Sequence, residues 1–278
     1  MPEFDTPDPI SATLEFDIGT VRITAGKRTQ TVVEVLPRSS TEEADVRTVQ
    51  QTQVTYSNGK LLVKGPRKRS LFGTPGALEV SIELPAGSDV RGSSPLGNFV
   101  CEGPLGDCRI KTSVGDIQVD EADTVSLKTS HGDILLDHAK GNAEVVGAGR
   151  VDIGKLAGAA SVGNVNGETT IAEVAGELRA SSSNGPISVG VAHAGVEAKS
   201  ANGGIRIGEV ARGRVTLQSA AGNLEVGIRE ATAAWLDVNT RLGNVRNSLG
   251  ASEGPAQSDE TVEVRARTGL GDIVIRRS

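Results

Sequence analysis

The chain has 278 residues and a formal net charge of −6, with 35 glycines but only four Phe, one Trp and one Tyr. Nucleic-acid-binding domains are usually basic, and single-strand binders stack bases on aromatic side chains, so this composition argues against both classes. Hydrophobic residues make up 37% of the chain and reach about half of it together with glycine, which argues against intrinsic disorder.

The start of the chain and its two cysteines indicate the cellular compartment of the protein. Residues 1–5 carry neither the basic segment nor the apolar stretch of a secretory signal, and no apolar run approaches the roughly 18 residues that cross a membrane. Cys101 and Cys108 are too few for a disulfide framework, and their alternation with Phe99 and Ile110 predicts buried thiols. We expect a cytoplasmic protein with reduced cysteines and no membrane contact.

The first 92 residues carry strand patterns, one turn and one helical segment. Residues 12–23 alternate apolar and polar side chains around Gly19, and further strands are predicted at residues 31–35, 53–56, 60–63 and 78–84. The sequence Ser57-Asn58-Gly59 is typical of a hairpin turn. Residues 40–51 predict a short helix, with Thr41 as its cap and acidic residues in its first turn.

A basic loop follows the hairpin. Arg67, Lys68 and Arg69 come in succession, and the apolar Leu71 and Phe72 follow closely. Positive charge beside exposed apolar side chains suits an acidic protein partner, although a solvated hairpin connection has the same composition. These five residues are the candidate partner-binding residues.

From residue 93 onwards, an internal repeat organises the chain. A glycine with apolar residues two and four positions after it recurs every 17 to 19 residues as far as Gly222, and then after 21 and 28 residues. The repeated glycines are Gly97, Gly115, Gly132, Gly149, Gly167, Gly185, Gly203, Gly222, Gly243 and Gly271. Apolar residues that alternate with polar ones also precede many of them, so each unit consists of two short strands on either side of a turn.

A second glycine column, nine or ten residues after the first, marks another corner of each unit. It contains Gly141, Gly158, Gly176, Gly195 and Gly213. About 18 residues at about 3.3 Å each give a circuit of roughly 60 Å, which fits a coil with three sides. The sequence therefore predicts an all-β fold, a right-handed three-sided parallel β-solenoid (β-helix) with about 18 residues per coil. Its narrow interior suits stacked aliphatic side chains and explains why aromatic residues are scarce.

The two ends depart from this repeat. We interpret residues 1–92 as a β-rich cap that covers the first coil, and residues 93–278 as the solenoid, the two forming one continuous structural unit. Residues 228–234 interrupt the repeat, a polar loop follows at residues 250–260, and residues 261–275 restore it. We expect Trp235 to be a buried plug of the C-terminal coil; a tryptophan of a binding site is the alternative.

Polar residues flank the corner glycines. Asn98, Asp116, Asp133, Asn223, Asn244 and Asp272 follow them, and Asn166, Asn184 and Asn202 precede them. Asp116 and Asp133 should lie about 5 Å apart on adjacent coils, where two carboxylates bind Ca²⁺ or act as acid and base on a polysaccharide. We prefer the alternative that Asn and Asp side chains satisfy backbone groups at turns, because neighbouring positions hold Asn or Gly and the calcium-binding nonapeptide is missing.

The three histidines are the remaining candidates for a catalytic or ligand-binding role. His131, His138 and His193 show no recognisable pairing with a serine or cysteine, and the chain has no phosphate-binding loop, dinucleotide fingerprint or zinc-protease motif. The sequence therefore predicts no catalytic, cofactor-binding or metal-binding residue.

Several segments together resemble one known family. They are residues 1–7, the repeat units at residues 112–119 and 129–136, residues 233–237 and residues 271–277. In these segments the chain resembles the bacterial β-strand-repeat family of unknown function that is often labelled "putative adhesin", and the resemblance covers essentially the whole chain. It implies a β-helical fold without known catalytic residues. Because an adhesin has to leave the cytoplasm, we take from the family its fold and not its label.

The expected function is that of a non-enzymatic cytoplasmic β-solenoid, which acts as a protein-interaction or scaffold module without a cofactor. Its partner is an unidentified protein, a second copy of the chain included. A self-assembling scaffold like the bactofilins, whose β-helices polymerise end to end, is one alternative, and the N-terminal cap argues against it. A polysaccharide-acting β-helix enzyme that uses Asp116 and Asp133 is the other, and the scarcity of aromatic residues argues against it.

Overall fold

The structure, a computed structural model, describes residues 2–66, 76–249 and 260–278. Nearly all of their regular elements are β-strands, with one short helix among them. The chain forms two compact units, Met1–Lys140 and Gly141–Ser278. The division that the sequence predicts between residues 92 and 93 falls inside a continuous strand, Asp89–Val114, and stays a prediction.

The elements of the first unit are short at its start and long towards its end. In chain order they are β1 (Glu3–Asp5), β2 (Ser11–Glu15), β3 (Ile18–Gly26), β4 (Gln30–Pro37), α1 (Glu43–Gln51), β5 (Gln53–Ser57), β6 (Lys60–Lys64), β7 (Leu78–Pro85), β8 (Asp89–Val114), β9 (Ile117–His131) and β10 (Ile134–Ala139). Strands β8 and β9 are long because they continue through corners of their coils; in β8 the register shifts between Cys101 and Pro104, around Gly103.

Stacking order and chain order differ at the start of the first unit. Strand β10 pairs parallel with β9, and β9 pairs parallel with β8. Strand β8 pairs on its other side with β2 and β3, which in turn pair parallel with β6 and β7. Residues 11–26 therefore form a coil between strands β6 and β7 on one side and residues 89–102 on the other, and their apolar side chains, such as Leu14 and Ile23, are fully buried.

Antiparallel strands follow outside β6 and β7. Strand β5 pairs antiparallel with β6, β4 with β7, and β1 with β4. Between β5 and β6, Asn58 and Gly59 both have positive φ, at 51° and 72°, as a two-residue hairpin turn requires. The predicted strands and hairpin of this region are confirmed.

The predicted helix is also present, but it begins differently. Helix α1 starts at Glu43 after Glu42, which makes no capping hydrogen bond, so the prediction that Thr41 caps the helix is wrong. The Asp45 carboxylate accepts hydrogen bonds from the backbone N–H groups of Ser39 at 3.0 Å and Ala77 at 2.7 Å. These bonds hold the first turn of the helix against the start of β7 and account for its late start.

The second unit is more regular. Its strands are β11 (Ala143–Gly147), β12 (Val151–Leu156), β13 (Ala160–Asn166), β14 (Thr169–Val174), β15 (Leu178–Asn184), β16 (Ile187–Ala192), β17 (Val196–Asn202), β18 (Ile205–Val210), β19 (Gly213–Ala221), β20 (Leu224–Ile228), β21 (Ala233–Leu242), β22 (Val245–Asn247), β23 (Thr261–Leu270) and β24 (Ile273–Arg277). The odd-numbered strands from β11 to β19 stack parallel in one column. The even-numbered strands from β12 to β20 stack parallel in another.

The even-numbered strands contain the third side of the coil. In β16, Val189 and Ala192 are both buried, whereas the two residues between them are more exposed, so the alternation changes phase inside the strand. A Cβ atom added to Gly190 at this bend would collide with the carbonyl oxygen of Ala172 in the neighbouring coil. This corner is a third site of close stacking, and the predicted three-sided parallel β-solenoid is confirmed.

The core consists of columns of aliphatic side chains. Ile187, Ile205, Leu224 and Ile273 lie in register on successive coils, and each is at most 1% exposed. Burying a side chain of this size contributes about 1.5–3 kcal/mol. At the corner before Ile187, Gly185 has φ 139°, and an added Cβ would collide with the carbonyl oxygen of Gly167, so only glycine fits there.

Stacking order and chain order also differ at the C-terminal end of the second unit. Strand β23 pairs with β19 on one side and with β21 on the other, and β24 lies in the same way between β20 and β22. The repeat at residues 261–275 is therefore the last but one in the stack. Residues 233–247, which come earlier in the chain, form the outermost coil.

Candidate binding surface

The five candidate partner-binding residues, Arg67, Lys68, Arg69, Leu71 and Phe72, lie outside the described residues. Their role in binding a partner stays a prediction. The other candidates from the sequence, the corner residues, the histidines and Trp235, all lie in described parts of the chain.

Side-chain oxygens at the corners connect neighbouring coils. In the first unit, Asn98 Oδ1 accepts a hydrogen bond from the backbone N–H of Asp116 at 2.9 Å, and Asp116 Oδ1 accepts one from the N–H of Asp133 at 2.8 Å. In the second unit, Asn223 and Asp272 accept equivalent bonds at 2.9 and 2.8 Å. Amide and carboxylate oxygens have the same role here, which supports the structural interpretation of these residues over an acid–base pair.

A second ladder consists of asparagine side chains alone. Asn184 Nδ2 donates to Asn166 Oδ1 at 3.0 Å, and Asn202 Nδ2 donates to Asn184 Oδ1 at the same distance. Stacked amides of this kind stabilise parallel, in-register strands. These asparagines hold coils together, and two of the amides already donate to their neighbours.

A third column of polar side chains was not predicted from the sequence. Three residues before most corner glycines lies a Ser or Thr, and several of these side chains donate to a carbonyl oxygen of the neighbouring corner. Thr129 Oγ1 donates to Gly115 at 3.0 Å, and Ser219 Oγ donates to Gly203 at 2.9 Å. The signal was present as a Ser or Thr three residues before most of these glycines, in the motif that also carries the family resemblance; Val146 and Asn164 are the exceptions.

The histidines form surface contacts with carboxylates. His193 Nε2 lies 3.0 Å from Glu173 Oε1, and this hydrogen bond is the chief cause that lowers the pKa of Glu173. His138 Nδ1 lies 3.8 Å from Glu121, whose pKa is lowered mainly by a hydrogen bond from Lys140. Exposed pairs like these contribute little to stability.

The described residues contain neither a candidate metal site nor a helix that could cross a membrane. No group of three or more His, Cys, Asp or Glu side chains in residues 2–66, 76–249 and 260–278 is placed to hold a metal ion. In the same ranges, no helix has the length and apolar character needed to cross a membrane.

Exposed apolar side chains of the second unit are concentrated on its two outermost coils. They are Trp235 (80% exposed), Leu242 (67%), Leu270 (52%) and Val245 (44%). Elsewhere among the described residues of this unit, only Val146 and Val165 are large, apolar and exposed. Clustered apolar surface is typical of interaction sites, whereas single exposed residues are not informative.

The expectation that Trp235 is a buried plug is wrong. Trp235 lies on the outward face of β21, in register with Glu263 of β23, and is four-fifths exposed. The outward positions of β21 continue with Asp237, Asn239 and Arg241. The reason for the difference is that residues 233–247 form the outermost coil, with no described coil beyond them.

The inner side chains of the same strand are incompletely covered. Leu236 and Val238 are only half-buried, whereas their register partners on β23, Val264 and Ala266, are fully buried. An inner side chain of the solenoid is normally covered by a coil on each side, and here only the coil of β23 is present among the described residues. The apolar interior is therefore accessible at this end of the second unit.

The backbone of β21 is open as well. Within the described ranges, β21 pairs through its whole length with β23 and with no strand on its other side. Unpaired N–H and C=O groups of an edge strand are a template for a strand of another chain. Residues 233–247, which we call the β21 edge, therefore combine an open backbone, an accessible interior and an exposed tryptophan.

Solved structures of several bacterial proteins align with the chain over nearly their full lengths. One is described as a "putative cell adhesion protein" from Clostridium sporogenes ATCC 15579, at 11% identity, with coverage of 100% of this chain and 98% of that chain and a TM-score of 0.25. Two "putative adhesin" structures are each 12% identical. That from Bacteroides fragilis NCTC 9343 covers 99% and 95% with a TM-score of 0.35, and that from Parabacteroides merdae ATCC 43184 covers 100% and 95% with a TM-score of 0.31. These TM-scores are too low to carry a structural argument.

The comparison with protein families is more specific. None of the curated proteins compared with the chain is similar to it. The family model described as Toastrack DUF4097, in contrast, matches residues 12–276 and so includes the coils at both ends of the chain. This match confirms the resemblance inferred from the repeat and from the terminal segments. The chain belongs to the Toastrack DUF4097 family.

Proposed function

We propose that the protein is a non-enzymatic protein-interaction module that binds its partner at the β21 edge. One observation carries the proposal: a ten-residue strand with no described neighbour on its outer side bears a tryptophan that is 80% exposed. A partner that adds a strand there gains backbone hydrogen bonds and covers the open interior.

The physical argument is that such an edge is costly to leave uncovered. Natural proteins protect edge strands by making them short or by placing charged residues, above all Lys, or Pro on them; β21 is long, contains no Lys or Pro, and carries one Asp and one Arg of opposite charge. Tryptophan is among the residue types that are enriched where a few side chains dominate the binding energy of an interface. A protein partner at this edge accounts for both features.

The non-enzymatic part of the proposal is supported by the corner ladders. The Asp116 carboxylate accepts a backbone hydrogen bond from the neighbouring coil, and Asn occupies equivalent places in other coils. The alternative, a polysaccharide-acting enzyme that uses Asp116 and Asp133, is tested by a glycan depolymerisation screen of the purified protein. Activity that disappears on Asp133→Asn substitution would favour the enzyme.

We also propose the cytoplasm as the location. Cys101 and Cys108 are free thiols, and free thiols persist in reducing compartments. Fractionation of cells that produce the tagged chain tests this, and we expect the protein in the cytoplasmic fraction. Recovery from the cell exterior would contradict it.

Co-purification from the native host tests the binding site. We expect the double variant Trp235→Ser/Leu242→Ser to lose partners that the wild-type chain retains, because both exposed apolar side chains of β21 are removed. Val165→Ser is the matched control, since Val165 is also exposed, at 49%, but lies on β13 in the middle of the stack.

Two outcomes decide the proposal. Partners that bind the control and the wild-type chain but not the double variant support a binding site at the β21 edge. The same partners bound by all three proteins, with all three shown to be folded by circular dichroism, would place binding elsewhere and contradict it.

A further inference from the structure

Resting on the proposed function, we infer that the partner at the β21 edge is a second copy of this chain, whose own β21 pairs antiparallel with it around a two-fold axis. A two-fold interface uses the same surface on both copies, so it requires a strand that is complementary to itself. The sequence of β21 meets this requirement.

The charges on the outward face of β21 suit such pairing. With Asn239 at the two-fold axis, Asp237 of each copy lies opposite Arg241 of the other. Opposite charges directly across an antiparallel pair are favourable, and like charges there are unfavourable. The same register sets Trp235 opposite Gly243 of the second copy, where an aromatic side chain can cover the bare backbone of a glycine.

Both charged groups are available for this contact. Arg241 forms no ion pair with any residue in the described part of the chain. Asp237 lies 3.3 Å from Arg267, but both side chains are more than half exposed. Exposed pairs of this kind are weak, so Asp237 can also meet an arginine from another copy.

The apolar interior points to the same occupant. In the same register, Leu236 of each copy lies opposite Leu242 of the other and Val238 lies opposite Thr240, so the two accessible interiors cover each other. Within the chain, the nearest undescribed residues, 250–259, contain no Val, Ile, Leu or aromatic residue. That segment has no large aliphatic or aromatic side chain with which to fill the opening.

The antiparallel strands of the first unit favour a closed dimer over a filament. The outermost strands there are β1 and β5, with three and five residues, and they run antiparallel to their neighbours. Such short edges are poor templates for the ten residues of β21. Pairing of two β21 strands uses up the long edge on both copies, so assembly stops at two, unlike the end-to-end polymers of the bactofilin-like alternative.

Sedimentation velocity of the purified full-length chain over a dilution series tests the inference. We expect a dimer that dissociates on dilution. Asp237→Arg or Arg241→Asp alone should weaken it about tenfold or more, because each substitution sets like charges opposite each other twice. The double variant Asp237→Arg/Arg241→Asp should regain most of the lost affinity. Arg179→Asp, an exposed charge reversal on β15, is the control and should leave the dimer unchanged.

Each outcome bears on the inference. A monomer at every concentration, a dimer that neither reversal weakens, or a double variant without recovery would overturn it, and filaments in electron micrographs would replace it with the scaffold alternative. A monomeric chain that still loses another partner on Trp235→Ser/Leu242→Ser substitution would overturn the self-pairing alone and leave the proposed function standing.

Discussion

At several corners, one side-chain oxygen holds the backbone of the neighbouring coil. Asp116 in the first unit and Asp272 in the second accept a backbone N–H at 2.8 Å, and Asn98 and Asn223 do the same at 2.9 Å. The bond needs an oxygen acceptor at the right distance and no charge. This explains why both Asp and Asn occur in the ladder.

Substitutions at Asp116 test this role. We expect Asp116→Asn to leave the free energy of unfolding nearly unchanged, and Asp116→Ala to lower it by about 1 kcal/mol, because alanine leaves the N–H of Asp133 without its acceptor. Denaturant unfolding of the two variants measures the difference. Equal destabilisation by Asn and Ala would show that the charge matters and would contradict the structural role.

The two thiols give a second prediction at this scale. A hydrogen bond with Cys108 and burial raise the pKa of the Cys101 thiol well above its ordinary value. Because the thiolate is the reactive form, we expect iodoacetamide to leave Cys101 of the folded protein unlabelled at mildly alkaline pH and to label it after unfolding. Mass spectrometry counts the labels, and rapid labelling of Cys101 in the folded protein would contradict its burial.

The same raised pKa has a consequence for stability. The folded protein holds the Cys101 proton at pH values where the unfolded chain has lost it. The contribution to the free energy of unfolding is therefore complete below the ordinary thiol pKa of 9.0 and is lost as the pH rises from there towards the raised pKa.

At the scale of single residues, the sequence predicts the role of a side chain where that role depends on its immediate neighbours in the chain. Buried thiols and turn-satisfying Asn and Asp side chains follow from alternation and from the glycines beside them, and the structure agrees on both. The prediction that Trp235 is buried was wrong, because it followed the rule that an apolar residue beside an irregular segment is normally buried. Its exposure depends on which coil is outermost, and no residue near it carries that information.

At the scale of elements, stacked columns hold each unit together. Every inner position of a middle coil touches the same position on two neighbours, so stability comes from contacts between coils. The column of Ile187, Ile205, Leu224 and Ile273 shows the principle, since all four are almost completely buried. A coil can therefore be removed with less damage than a charge placed in a column.

Two variants of the second unit test this. Deletion of residues 178–195 removes one coil and brings Val196 to the place of Leu178, its register partner, so we expect a folded protein with a cooperative transition. Ile205→Asp buries an unpaired charge and should lower the free energy of unfolding by about 4 kcal/mol or more. Ser183→Asp, on an exposed position, is the control for the added charge.

Thermal melting compares the three proteins. An Ile205→Asp protein as stable as wild type would contradict the column, and a deletion variant that fails to fold would contradict the independence of coils. The expected order of stability places the Ser183→Asp protein closest to wild type and the Ile205→Asp protein furthest from it.

Most elements, but not their stacking order, could be predicted from the sequence. Period-two alternation shows which side chains of a strand face inwards, and the corner glycines show where a coil turns. Neither shows which coil is the neighbour, because all repeats carry nearly the same pattern. For this reason only the structure shows two departures from chain order. Residues 11–26 stack between coils that come later in the chain, and residues 261–277 stack between the regular coils and residues 233–247.

At the scale of the whole molecule, the membership in the Toastrack DUF4097 family covers both units. The two units differ in how their outer strands end. In the first, short antiparallel strands and a helix lie outside the parallel coils, whereas in the second a ten-residue parallel strand is the outermost described element. The function that we propose uses this difference.

Trp235 gives direct access to the β21 edge, on which the proposed function rests, because it is the only tryptophan of the chain. Acrylamide quenching of its fluorescence measures whether the indole ring meets solvent, with the unfolded chain as the reference for full access. In dilute protein we expect quenching close to that reference, and progressive shielding as the protein is concentrated or a partner is added. Weak quenching at every dilution would show that Trp235 is buried within its own chain, and would contradict a binding site at the β21 edge.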